Sequence, residues 1–258
     1  MTDFDARSLF SVEEKVALVT GATGHFGQVI VQVLRDNGAE VISLYHSEDK
    51  KPEGRSLRAD MYSADDYEVL RKFAEDNPVD ILVNNAYDMS RETGFNVLTD
   101  QIEEYDAWAW WRNHIGGLEF PAFLISLFGK GMKKRKWGSI INVATMYAEV
   151  APSPKLYANT KYMNPPGYGA VKAGLLEYTR YVAAFWGKYN VRCNAILPGP
   201  FPHSSADDGF ISRLNDRTCL GRVGQASELA GIILFLASDA SSYVTGAGIS
   251  IDGGWTVT

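Results

Sequence analysis

The sequence predicts an α/β fold, one doubly wound and mostly parallel sheet with helices on both faces. Three observations predict it. Short β-branched apolar runs alternate with amphipathic helical stretches along the chain, the pattern of βα units feeding a parallel sheet. The first run stops at a glycine-rich turn that opens directly into a helix, the strand–turn–helix unit of a Rossmann-type dinucleotide fold. No linker, internal repeat or low-complexity segment breaks the alternation, so residues 1–258 read as a single domain.

Residues 15–20, KVALVT, read as the first buried strand. Gly21, Ala22, Thr23, Gly24, His25, Phe26 and Gly27 form the turn, and 28–35 carry apolar residues at helical spacing. Asn37-Gly38-Ala39 leads into a second strand at 40–45. Residues 58–60 read as a short strand end, 64–74 as a helix, and 79–86 as a strand ending in Asn84-Asn85-Ala86. Helices are expected at 100–114 and 118–132, a strand at 138–143 and a helix at 167–189. A strand at 191–196 runs into Pro198-Gly199, followed by a helix at 226–237 and a strand at 248–251. That makes a seven-stranded sheet.

A hydrophobic fraction of 46% fills a large core, and a net charge of −6 excludes general affinity for nucleic acid or anionic membrane. The basic run Lys133-Lys134-Arg135-Lys136 reads as a solvated helix end, where cations complement the helix dipole. Cys193 and Cys219 lack metal-ligand spacing and read as reduced thiols of a cytoplasmic protein with no metal site. Residues 1–11 lack a signal pattern, and no apolar run reaches the ~20 residues that span a bilayer.

Two tyrosine–lysine pairs carry candidate chemistry: Tyr168 with Lys172, and Tyr157 with Lys161. At helical spacing the two side chains share a face. An ammonium beside a phenol favours the phenolate and is expected to lower its pKa toward neutrality, which suits proton transfer in carbonyl reduction or alcohol oxidation. Lys161 is followed by Pro165-Pro166, which would break a helix.

Taken in order, these landmarks resemble the short-chain dehydrogenase/reductase family in its single-domain branch: the glycine turn, Asp60, Asn84-Asn85-Ala86, Asn113, the strand end at Thr145, Tyr168/Lys172, Pro198-Gly199 and Asp252-Gly253-Gly254. The resemblance spans residues 15–255 and implies an NAD(P)-dependent oxidoreductase. It selects Tyr168/Lys172, because the family helix continues past its lysine. The spacing from Thr145 to Tyr168 exceeds the family's usual one, which implies an insertion within 149–166. By the same resemblance Tyr168 is the general acid/base and Lys172 lowers its pKa and holds the nicotinamide ribose. Thr145 stands where the family has serine, with the same hydroxyl capacity and a narrower site. Asn113 anchors a water that relays protons to Lys172. Gly21, Thr23, Gly24, His25, Phe26 and Gly27 meet the phosphates. Asp60 and Met61 meet the adenine, Asn85 and Ala86 the adenosine side (where Tyr87 replaces the usual glycine), and Pro198, Gly199 and Phe201 complete the cofactor groove.

Three departures matter. His25 stands at the middle glycine of the turn, and the spacing Gly21, Gly24, Gly27 is similar to that of extended-type sugar-nucleotide epimerases or dehydratases. Thr145 in place of serine leaves a non-catalytic dinucleotide-binding protein as a further alternative. Tyr45-His46-Ser47 ends the second strand without the carboxylate that selects NAD, and His46 and Ser47, with Lys50 or Lys51, could bind a 2′-phosphate, which favours NADP over NAD. Substrate selectivity is expected in 149–166 and in a loop at 200–215, whose aromatic and polar residues suit a small polar, sugar-like molecule. The wording of the insertion is similar to single-domain oxidoreductases of bacterial surface-sugar biosynthesis. Trp108, Trp110 and Trp111 read as helix packing or subunit contact, and the resemblance implies a homodimer or homotetramer.

Overall fold

The structure is a computed structural model that describes residues 5–97, 102–203 and 205–257. Seven parallel strands form one sheet in the order β3-β2-β1-β4-β5-β6-β7. They are β1 Val16–Thr20, β2 Glu40–Tyr45, β3 Ser56–Arg58, β4 Ile81–Asn84, β5 Gly138–Val143, β6 Val191–Pro198 and β7 Gly248–Ile251. The chain starts in the middle of the sheet, winds outward to β3, returns past β1 and winds to the other edge. The reversal between β1 and β4 opens a crevice at the carboxyl ends of the central strands, where such sheets bind ligands.

Strand residues alternate between two cores, as the pleat requires. Ala17, Val19, Ile81, Val83, Ile141 and Val143 face one layer, with Ile30 and Leu34 of α2 (His25–Asp36) and Ile233 and Leu236 of α9 (Ala230–Ala237). Leu18, Leu82 and Ile140 face the other, with Leu70 of α3 (Ala64–Asp76), Phe120, Leu124 and Phe128 of α5 (Phe120–Arg135) and Val182 of α7 (Pro166–Trp186). A short α1 (Ala6–Phe10) precedes the sheet.

Several boundaries differ from the expected ones. The helix expected from 100 is α4, Ala107–His114, whose start is set by the Asp106 carboxylate accepting the N–H groups of Trp108 and Ala109; residues 100 and 101 lie outside the described residues. A π-helical turn at Ile115–Glu119 joins α4 to α5 without a break. The basic run does close α5, with Lys136 in the left-handed conformation. The expected helix at 226–237 begins as a 3₁₀ turn, Ala226–Leu229. The segment at 200–215, expected as a loop, contains α8, Asp208–Asn215, capped by Asp207, and the 149–166 segment contains a short α6, Pro154–Tyr157.

Candidate active site

β1 delivers the glycine turn to the crevice. Gly21 has φ +62°, which favours glycine, and a Cβ there would lie 2.9 Å from the Cα of Ala86. A Cβ on Gly27 would lie 2.0 Å from the Gly21 carbonyl oxygen, so both glycines are required for α2 to start so close to the strand. The Asn85 side chain donates to the carbonyls of Thr20 and Gly21 at 2.9 and 3.2 Å, and the Thr20 hydroxyl accepts the N–H groups of Asn85 and Ala86. Asn85 therefore braces the turn. α2 starts at His25 after Gly24, which leaves the first N–H groups of the helix facing the crevice. Thr23 sits at the rim, and its carbonyl accepts from Gln28.

Pro198 ends β6 and Gly199 follows it, where a Cβ would lie 2.5 Å from the Cα of Asp252. The chain then folds over the start of α2: Phe201 meets Phe26 edge-on at 5.3 Å, and the His203 ring lies 5.0 Å from the His25 ring. At the end of β2, Tyr45 is buried while His46 and Ser47 are exposed. His46 lies 3.4 Å from Asp60, and Arg58 donates to the His46 carbonyl while pairing with Glu48. Asp60 also accepts the Tyr62 N–H, and Met61 packs against the core on the α3–α5 side. Arg58 is a cation at this strand end that the sequence pattern alone does not single out.

The Tyr168 and Lys172 pair sits one turn inside α7. Lys172 is buried, and its ammonium donates to the Val143 carbonyl at 2.7 Å. Thr145, just past β5, is buried; its hydroxyl accepts the Tyr147 N–H, capping a 3₁₀ turn, and it faces the Tyr168 phenol. The chain's own groups set the two pKa values against the sequence expectation. Burial pushes the Tyr168 phenol up, with the Thr145 hydroxyl opposing, and burial pushes Lys172 down to about 7. Desolvation decides both directions, and at the phenol it is Thr145 rather than Lys172 that opposes it.

Tyr157 and Lys161 do not form a pair. Tyr157 is buried, with its hydroxyl 2.9 Å from that of Tyr147 and accepting from Asn164 at 2.6 Å. Lys161 is exposed and lies over Tyr162. The two expected substrate segments pack on each other: Tyr162 stacks on Phe210 at 4.5 Å, Arg213 donates to the Ala158 carbonyl at 2.6 Å, and Leu156, Tyr157 and Leu214 share a cluster with Trp255. Tyr168 borders that cluster. Ser204 lies outside the described residues.

Asn113 lies in the last turn of α4 and is fully buried. Its amide donates to the carbonyls of Thr93 and Ala109 at 2.8 and 2.7 Å, and its oxygen accepts from the Tyr87 hydroxyl. Tyr87, expected on the adenosine side, instead turns toward Tyr168 and Lys172. Beside it Asp88 pairs with Arg112 at 2.7 Å, and that ion pair holds the Asp88 carboxyl below the usual range against its burial.

The sequence profile of enoyl-(acyl carrier protein) reductases matches residues 21–256. The chain is 33% identical to the 2-dehydro-3-deoxy-D-gluconate 5-dehydrogenase of Escherichia coli, covering 96% of this chain and 98% of that one. The chain belongs to the short-chain dehydrogenase/reductase family. Another relative is the L-tagatose-forming galactitol 2-dehydrogenase of Cereibacter sphaeroides, 31% identical over 98% of this chain and 99% of that one. Among solved short-chain dehydrogenase/reductase structures, the gluconate 5-dehydrogenase of Burkholderia cenocepacia, crystallised with NADP and tartrate, superposes with a TM-score of 0.84 at 25% identity, covering 98% of this chain and all of that one.

Proposed function

We propose that this short-chain dehydrogenase/reductase interconverts a carbonyl and a secondary alcohol on a small polyol or sugar acid, using a nicotinamide dinucleotide. The observation that carries it is the hydroxyl–phenol–ammonium group of Thr145, Tyr168 and Lys172 beside a glycine turn at the sheet's carboxyl edge. The substrate class rests on the relatives named for gluconate and galactitol oxidation.

The residues present fit the cofactor. The α2 N-terminus and its glycines suit a pyrophosphate. The exposed His46 and Ser47, with Arg58 beside them, support a 2′-phosphate and thus NADP over NAD. Bound there, the nicotinamide would give or take the hydride. Thr145 would hold the substrate oxygen and stabilise its developing charge. The Tyr168 hydroxyl would donate a proton to that oxygen in reduction and remove it in oxidation. The Lys172 ammonium, in its charged form, would favour the phenolate. The wall built from 149–166 and 200–215 would exclude water and select the substrate. The exposed Trp108, Trp111, Tyr181 and Phe185 support a homo-oligomer formed through α4 and α7.

Purified protein incubated with NADP⁺ or NAD⁺ and a panel of aldonates, hexitols and steroid alcohols tests the reading. Reduced cofactor is expected to accumulate with the polar substrates and faster with NADP⁺. Turnover confined to steroids, or cofactor binding with no turnover on any alcohol or ketone, would refute it.

A further inference from the structure

Tyr87 follows β4 and contacts Lys172, Tyr168 and Asn113. The Lys172 nitrogen lies 4.8 Å from the centre of its ring, over the face. Its ring is 5.0 Å from that of Tyr168. Its hydroxyl donates to the Asn113 oxygen. The backbone is cut to receive it, since a Cβ on Gly117, in the π turn, would lie 3.2 Å from the Tyr87 ring edge and 2.3 Å from Val171 of α7.

These contacts change what Asn113 can do. Both amide hydrogens are committed to backbone carbonyls, and its oxygen holds Tyr87. We propose that Tyr87 is a positioning residue of the proton-transfer pair: its ring face holds the Lys172 ammonium, and Asn113 acts on Lys172 through the Tyr87 ring that it orients. An aromatic face attracts a cation through its quadrupole, and the attraction is largest where water is displaced. Lys172 is such a case. Among the described residues its ammonium has one hydrogen-bond acceptor at 2.7 Å, the Val143 carbonyl, and the Tyr87 face supplies a second attraction.

The titratable groups that face this arrangement come from three directions. Tyr168 lies on the same helix as Lys172, and Tyr147 faces Tyr168 from the segment after β5. Tyr62 and the Asp88–Arg112 pair lie behind Tyr87. None of them presents a carboxylate to Lys172 within ion-pair distance, so the ring is the neighbour whose removal bears on its charge.

The proposal rests on the reading of Tyr168 and Lys172 as a proton-transfer pair, but its test needs no turnover. Full-length protein labelled at the lysine Cε with carbon-13 is titrated by NMR without cofactor, and the Lys172 signal is assigned by its loss in Lys172→Met. With a midpoint near 7 it separates from an ordinary lysine at ~10.4. Tyr87→Leu is expected to lower the midpoint by roughly one and a half units, the pKa equivalent of a desolvated cation–π contact. Tyr87→Phe and Asn113→Ala are each expected to lower it by less, and the double variant by no more than either, because both remove the same hydrogen bond. If Tyr87→Leu does not fold, Tyr87→Met takes its place. A folded ringless variant whose midpoint is unchanged or raised overturns the proposal, as does a Tyr87→Phe shift as large as that of Tyr87→Leu. Failure of the oxidoreductase reading would appear separately, as absent turnover.

Discussion

Two tyrosines with lysines at the same spacing end up with different surroundings. Tyr168 faces Thr145 and lies on the helix of a buried lysine. Tyr157 spends its hydroxyl on Tyr147 and Asn164 inside the wall beside the site. Tyr168→Phe is expected to lower kcat by ~10²–10⁴-fold, the usual contribution of a positioned acid/base, with unfolding unchanged. Tyr157→Phe is expected to keep kcat within a few-fold and to lower stability by about 1–2 kcal/mol through lost buried hydrogen bonds. Steady-state kinetics and denaturant unfolding on the two variants check this, and the reverse pattern would make Tyr157 the acid/base. Lys172 also leaves a mark on stability. In the folded chain its midpoint is about 7, against ~10.4 for a free lysine. Between about pH 7 and 10 the unfolded chain therefore holds more protons, and stability rises with pH across that window; below it both states are charged and the burial cost is fully present. Lys172→Met is expected to flatten that rise, as read from denaturant midpoints across the same pH range.

At the scale of elements, the junction between β4 and α4 is tied by two adjacent cross-links, Tyr87 to Asn113 and Asp88 to Arg112. The second is mostly buried, with both side chains 16% exposed, and Arg112 also lies 3.9 Å over the Tyr62 ring. Removing one partner of a buried ion pair leaves the other charge stranded. Arg112→Met is expected to cost roughly 2–4 kcal/mol in denaturant unfolding, and Asp88→Asn/Arg112→Met less than the sum of the single variants. Additive losses would mean that the pair contributes little. The glycines of the π turn belong to the same junction, since Gly117 yields its Cβ volume to Val171 and Tyr87.

For the whole molecule, the sheet reversal gathers segments distant in sequence at one edge, with β1, β4, β5 and β6 each ending at the site. On the outside, α7 carries a stacked ladder of Tyr178, Tyr181 and Phe185, the last two more than half exposed, and α4 carries Trp108 stacked on Trp111 at 4.8 Å. Such patches mark association surfaces. If the proposed homo-oligomer forms through this face, Phe185→Glu reduces it to a smaller species in light scattering, with unchanged circular dichroism. An unchanged mass would place the contact elsewhere.

The sequence by itself determined the order of strands and helices and the glycine turn, because these rest on local signals, apolar period and caps; the preference for Tyr168 over Tyr157 comes from the family resemblance and the prolines after Lys161. Motif order in the family resemblance points to Thr145 and Asn113, and the fold brings both near Tyr168 and Lys172 through Tyr87 and the end of β5. Only the tertiary structure decided that Tyr87 turns toward Lys172, that Tyr157 is a buried strut, that 208–215 is a helix packed on 154–162, and that burial moves the Tyr168 and Lys172 pKa values in opposite directions. Each of these depends on contacts between residues far apart in the chain. Desolvation in particular is a property of everything packed around a group, and no local pattern encodes it.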